Sequence, residues 1–119
     1  MGLDQFAWAK KRDYSPDGTK YTEEGELIMQ WRKHANLEGW MRDLYKEKGG
    51  DENKFNQKDL ELDHVDLKEL NKTHRNLKTA KGFFWGESQE EDINNTQKFI
   101  DKATKLLDSG YRIVYNSWW

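Results

Sequence analysis

Aromatic residues crowd both ends of this chain and one glycine-flanked segment, and any fold must find them a place. Of six Trp, five Tyr and five Phe residues, seven fall in three runs. These are Phe6 and Trp8, then Phe83-Phe84-Trp85 between Gly82 and Gly86, then Trp118-Trp119. The rest of the chain is polar, with a mean hydropathy of −1.18. Each large ring can bury on the order of 150–250 Å², so the runs are expected to build either a small core or a contact surface.

At 119 residues the chain is read as one domain, 1–119, with no room for a second core. Charged residues make up 35% and hydrophobic ones 34%, but the apolar positions are periodic, which separates the chain from disordered sequences. Twenty basic residues against 22 acidic ones leave a net charge of −2, which argues against a nucleic-acid partner. Cysteine is absent, so disulfides and thiolate chemistry are excluded. No apolar run nears the roughly 20 residues of a membrane span, and no signal peptide is visible. Met1-Gly2 lacks the Ser or Thr that myristoylation wants at position 6, where Phe6 stands. The expected location is the cytoplasm.

Residues 2–10 read as a strand with Gly2, Asp4, Phe6 and Trp8 on one face and Leu3, Gln5, Ala7 and Ala9 on the other. Ser15-Pro16-Asp17-Gly18 is turn chemistry. A long helix is expected from Thr22, its N-cap, to Lys46–Lys48, with Leu27, Trp31, Leu37, Met41 and Leu44 as its stripe and Gly49-Gly50 as its stop. A polar loop 49–57 leads to a short edge strand, Lys58–Leu62. Asp63 caps a second helix in a capping box with Asp66, its inner stripe being Leu67, Leu70, His74 and Leu77. After the aromatic loop 78–88, Ser88 is expected to cap a third helix that ends at Gly110. Tyr111–Tyr115 is the strongest strand and runs on towards Trp119. The fold class is α+β: a small, mainly antiparallel sheet of the two terminal strands plus the short edge strand, with about three helices on one face. The terminal strands are expected to pair, bringing Phe6 and Trp8 near Trp118.

Four segments carry a resemblance: Met1-Gly2-Leu3-Asp4-Gln5, Trp31-Arg32-Lys33-His34-Ala35, Gly82-Phe83-Phe84-Trp85-Gly86 and Tyr115-Asn116-Ser117-Trp118-Trp119. In that order, and extending to Phe55–Leu62, the chain resembles a family of small uncharacterised proteins from bacteriophages, marine and cyanobacterial phages among them, and from some bacteria. Trp85 stands where the family pattern has Phe. Some members are labelled phosphoglycerate kinase. This chain is too short for that two-domain kinase and has no glycine-rich phosphate fingerprint. The resemblance implies a phage-type origin and the host-cell cytoplasm, and no activity.

Catalytic signatures are absent: no nucleophile elbow surrounds Ser117, and Glu23-Glu24 and Glu90-Glu91 suit helix N-termini. Asp63-His64-Val65-Asp66 is better read as a helix start than as a metal site, so no metal and no cofactor are expected. The leading expectation is a non-enzymatic protein-interaction module that meets a host or phage protein through Trp40, Trp85, Trp118 and Trp119. The alternative is a small-anion or nucleotide site, with catalysis open, built from Asp4, Trp31, Arg32, His34 and Asn116. It requires those side chains to converge on one pocket.

Overall fold

The computed structural model describes residues 2–11, 25–82 and 85–119. Four strands form one antiparallel sheet in the order β2-β1-β4-β3. They are β1 (Asp4–Lys11), β2 (Gly25–Arg32), β3 (Leu60–Leu62) and β4 (Tyr111–Trp118). Three helices complete the fold: α1 (Ala35–Glu47), α2 (His64–Thr73) and α3 (Glu90–Asp108). This is the α+β architecture that the sequence implies. The terminal strands are central neighbours, in register from Asp4 opposite Trp118 to Lys11 opposite Tyr111.

The first half of the long helix is a strand. Residues 25–32 pair with β1, and helix begins only at Ala35. A separation of four, as between Leu27 and Trp31, keeps two side chains on one face under either period, so this spacing cannot decide between them. A β-bulge then removes even that shared face. Met29 lies opposite Ala7 and Leu27 opposite Trp8, leaving Ile28 as the extra residue. Trp31 therefore turns to the core while Leu27 stays 41% exposed. Between strand and helix, Lys33 adopts φ +58° and its N–H bonds to the Leu3 carbonyl. A lysine in the left-handed region is uncommon, and no residue type announces this break. The proposed cap Thr22 and the Ser15–Gly18 turn lie outside the described residues.

The inner face of the sheet carries Gln5, Ala7 and Ala9 from β1, Trp31 from β2, Leu60 and Leu62 from β3, and Ile113, Tyr115 and Ser117 from β4, all buried. Small side chains on β1 leave room for rings brought in by its neighbours and the helices. Trp31 meets Phe99 of α3 edge-on at 5.1 Å and donates its indole N–H to Thr96. Phe55, in the loop that its polar neighbours suggest, is fully buried and stacks on Tyr115 at 6.2 Å.

Caps fix the helix starts. Asp63 and Asp66 form the expected reciprocal capping box of α2. Asp66 also takes the Lys48 ammonium, which in turn donates to the Glu61 carbonyl on edge strand β3. That lysine occupies a polar group which a foreign strand would otherwise pair with. Replacing Asp63 with Ala is expected to lower stability by about 1 kcal/mol. Urea denaturation checks this, and no loss would mean that the box is ornamental. The third helix departs from expectation: its cap is Gln89, boxed with Asp92. Ser88 instead accepts from the Asn36 N–H at 3.0 Å, capping α1 from a distant segment. Gly110 ends α3 at φ +92°, as its sequence position implies.

Candidate binding face and buried polar network

Strand alternation puts Asp4, Phe6, Trp8 and Lys10 on the opposite face of β1 from Gln5, Ala7 and Ala9. The register adds Val114, Asn116 and Trp118 from β4, with Leu27 from β2. None of the apolar side chains on this face belongs to either cluster of the core. The sheet thus keeps alanines towards its helices and turns a phenyl and two indoles away from them. Trp118 is 55% exposed, while Phe6 and Trp8 are half-buried and help to cover Val114.

Phe6, Trp8 and Trp118 line a groove of about 490 Å³ whose polar wall includes Lys10, Asp59 and Asn116. Asn116 donates to Asp59 at 2.8 Å, and Lys10 lies 4.0 Å from the same carboxylate. At the ends of the face, Arg32 pairs with Asp4 at 3.9 Å and Arg112 with Glu61 at 2.5 Å.

The other candidate tryptophans point elsewhere. Trp85 is 2% exposed, packed on Leu3 and Ala35 and edge-on to Trp119 at 5.5 Å. Trp40 and Trp119 are half-buried against the main core. Of the four, only Trp118 joins the open face, because β4 turns Ser117 inward and Trp118 outward. Phe83 and Phe84 lie outside the described residues.

The proposed anion constellation does not converge. Asp4, Arg32 and Asn116 are on the open face, whereas Trp31 and His34 are buried on the helix side. His34 is the residue before α1. The sheet itself separates the two groups.

His34 belongs to a buried polar network that neither motif nor spacing reveals. Its backbone N–H donates to Gln5 Oε1, and its backbone carbonyl accepts from Gln5 Nε2. Gln5 also donates to the Tyr115 hydroxyl, which donates to Glu38 at 2.5 Å; Ser117 donates to the other Glu38 oxygen at 2.8 Å. Burial pushes the fully buried Glu38 carboxyl up to about 7, opposed by the Tyr115 and Ser117 hydrogen bonds and by the nearby Arg42 charge. Tyr115 is raised well above its ordinary value, by its own burial and then by Glu38. On the ring side, His34 Nδ1 lies 2.6 Å from Ser88 Oγ. Ser88 Oγ thus joins the His34 ring to the Asn36 N–H at the start of α1. Burial lowers His34 to about 4, with the neighbouring His74 adding to the effect. His74 Nε2 meets the Gln97 side-chain oxygen at 2.9 Å. His34 Nε2 and His74 Nδ1 are both buried without partners. Asp92, 3.9 Å from His34 Nδ1, is raised by burial.

Gln5 could have been found from parity, as the polar member of an otherwise apolar face. Glu38 becomes visible only once α1 is known to start at Ala35, which places it inward beside Leu37 and Met41. Ser88 carries no signal for its contact, made across 52 residues. Among the described residues, no group of three or more His, Cys, Asp and Glu could hold a metal ion, and no helix is long and apolar enough to cross a membrane. Comparison with protein-family models, curated proteins and solved structures finds no match to this chain.

Proposed function

We propose that this chain is a non-enzymatic interaction module whose contact surface is the open face of its sheet, and that its partner is a protein segment without excess charge. One observation carries the reading: the bulkiest side chains of β1 lie on the face opposite the core, while its alanines fill the core face. Exposed aromatic groups with a polar rim are typical of recognition surfaces. Charge decides the class of partner. The cations around the groove, Lys10, Arg32 and Arg112, each face a carboxylate of the same surface. A nucleic acid would instead call for cations in excess. The Trp-lined groove with Asn116 beside it suits an extended peptide that lays apolar side chains between rings and offers backbone groups to the polar wall. A phage origin would make that partner a host or phage protein.

Selection from a displayed peptide library supplies the test. Selected peptides are expected to be apolar and near neutral, and to lose at least about tenfold in affinity for a Trp8→Ser/Trp118→Ser variant of unchanged fold. Peptides that bind the variant as well as they bind the parent would end this reading, as would a library that enriches nothing.

A further inference from the structure

The strands that floor the groove on the open face offer a ligand no backbone hydrogen bonds. They are β1 and β4, the two inner strands of the sheet, and β1 is paired along both edges, to β2 and to β4. On its other edge β4 is covered by β3 from Ile113 to Tyr115. Beyond that the loop before β3 takes over. Gln57 donates its N–H to the Ser117 carbonyl at 2.8 Å, and the Asn56 side chain bonds both the N–H and the carbonyl of Trp119. A peptide seated in the groove therefore cannot add a strand to the sheet.

The side chains it meets instead are sorted by place. Over the floor, the polar groups beside the rings are the indole N–H groups of Trp8 and Trp118, which have no hydrogen-bond partner among the described residues. An indole donates and does not accept. Acceptors stand on the wall. There Asp59 is committed to Asn116 and Lys10, which leaves the Asn116 amide oxygen and the Gln57 side chain. Gln57 is fixed at φ +64°, uncommon outside glycine, by its bond to Ser117. A ligand lying over the rings thus finds donors for its carbonyls and no acceptor for its N–H groups. In an ordinary extended peptide, each N–H covered by a ring would lose its water without replacement. Proline has no N–H to lose.

Spacing and charge agree with this. Phe6 and Trp8 are alternate residues of β1, roughly 7 Å apart. Trp118 is the diagonal neighbour of Phe6 across the β1–β4 pair, at roughly 7–8 Å. Three rings in a row leave two slots over roughly 14 Å, the length of about five residues of polyproline II. Lys10, Arg32 and Arg112 are matched by Asp59, Asp4 and Glu61 of the same face, so the surface complements an uncharged segment. A polyproline II segment is also ordered before it binds.

We propose that the segment recognised on this face is proline-rich and binds as a polyproline II helix, its rings in the slots beside Phe6 and its carbonyls accepting from Trp8 and Trp118. The proposal rests on the sheet-face reading and narrows its partner to one class of sequence.

Nuclear magnetic resonance titration of the full chain with a blocked ten-residue oligoproline tests it. The indole N–H signals of Trp8 and Trp118 are expected to shift and saturate, and that of Trp31, committed to Thr96, to stay in place. Trp118→Phe, at a side chain that is 55% exposed, keeps a ring, loses the donor and is expected to weaken binding about three- to tenfold. Trp8→Ser/Trp118→Ser is expected to abolish it. A blocked peptide of alternating valine and threonine, which favours strands and carries every N–H, is expected not to bind. If oligoproline fails while proline-free peptides from the displayed library still bind the face, this inference is overturned and the sheet-face reading stands. If neither binds, both fall. Equal binding of oligoproline by the parent and Trp118→Phe would overturn the donor role of that indole, and equal binding by the double variant would overturn the site.

Discussion

Trp31→Ala is expected to lower the unfolding free energy by about 3–5 kcal/mol, whereas Trp118→Ala should change it by about 1 kcal/mol or less. The two residues are both tryptophans on strands of one sheet, and only the face differs. Trp31 is 2% exposed, lies edge-on to Phe99, sits 6.3 Å from Tyr115 and satisfies its N–H at Thr96. Truncation there opens a cavity among side chains pinned by strands and by α3, and leaves Thr96 short of a donor. Trp118 is 55% exposed and belongs to neither core cluster. Paired urea titrations decide the matter. Equal losses at the two positions would mean that the face described as open is in fact part of the stabilising core, and the interaction reading would go with it.

The second large effect concerns pH, and the wild-type chain conceals it. His34 falls from 6.5 to about 4 on folding, so the unfolded chain takes up a proton first as pH drops. Stability is then lost between about pH 6.5 and 4, by about 3 kcal/mol. Glu38 moves the other way, from 4.5 to about 7: the folded chain keeps its proton, and stability is lost as pH rises through that range, also by about 3 kcal/mol. The two slopes oppose each other between pH 4.5 and 6.5. Asp92, raised by burial, acts in the sense of Glu38. Single replacements separate them. Glu38→Gln keeps a neutral side chain of the same shape and should expose the histidine slope, with stability climbing by about 3 kcal/mol from pH 4 to 6.5. His34→Asn retains a hydrogen-bonding group beside Ser88 and should expose the carboxyl slope, falling by a similar amount from pH 4.5 to 7. Urea midpoints across this range measure both, and two variants with the flat profile of the parent would contradict the assigned burial of these groups.

Much of the architecture is legible in the residues. Local chemistry announces Asp63 and Asp66 as a cap, Gly110 as a stop, and Tyr111–Tyr115 as a strand, and each signal is complete within a few residues. The strand at 25–32 is not legible, because Leu27 and Trp31 fit two periods and the deciding partner, β1, lies outside any local window. The same limit explains the site. Phe6 and Trp8 can be assigned to one face by alternation, but which face the helices choose depends on packing the whole sheet. Bulk suggests that the aromatic face is the core. The structure buries Ala7 and Ala9 instead, because Trp31, Phe99 and Phe55 arrive from elsewhere to fill that layer. Trp85 misleads for a related reason: glycines on either side suggest an exposed tip, yet Gly82 is small to let the indole lie against it.

The pairing of β1 with β4 also governs when the protein can form. The sheet's central seam joins Asp4 to Trp118, on strands far apart in the sequence. During synthesis, β1 emerges long before β4 and must wait for it before this edge is occupied. Until then its hydrogen-bonding edge is bare, flanked by Phe6 and Trp8, the side chains most apt to seize a neighbouring chain. Contacts of such long range form slowly. The nascent chain is therefore exposed to aggregation until β4 has emerged, and a partner that masks the aromatic face would protect it at that stage as well as after folding.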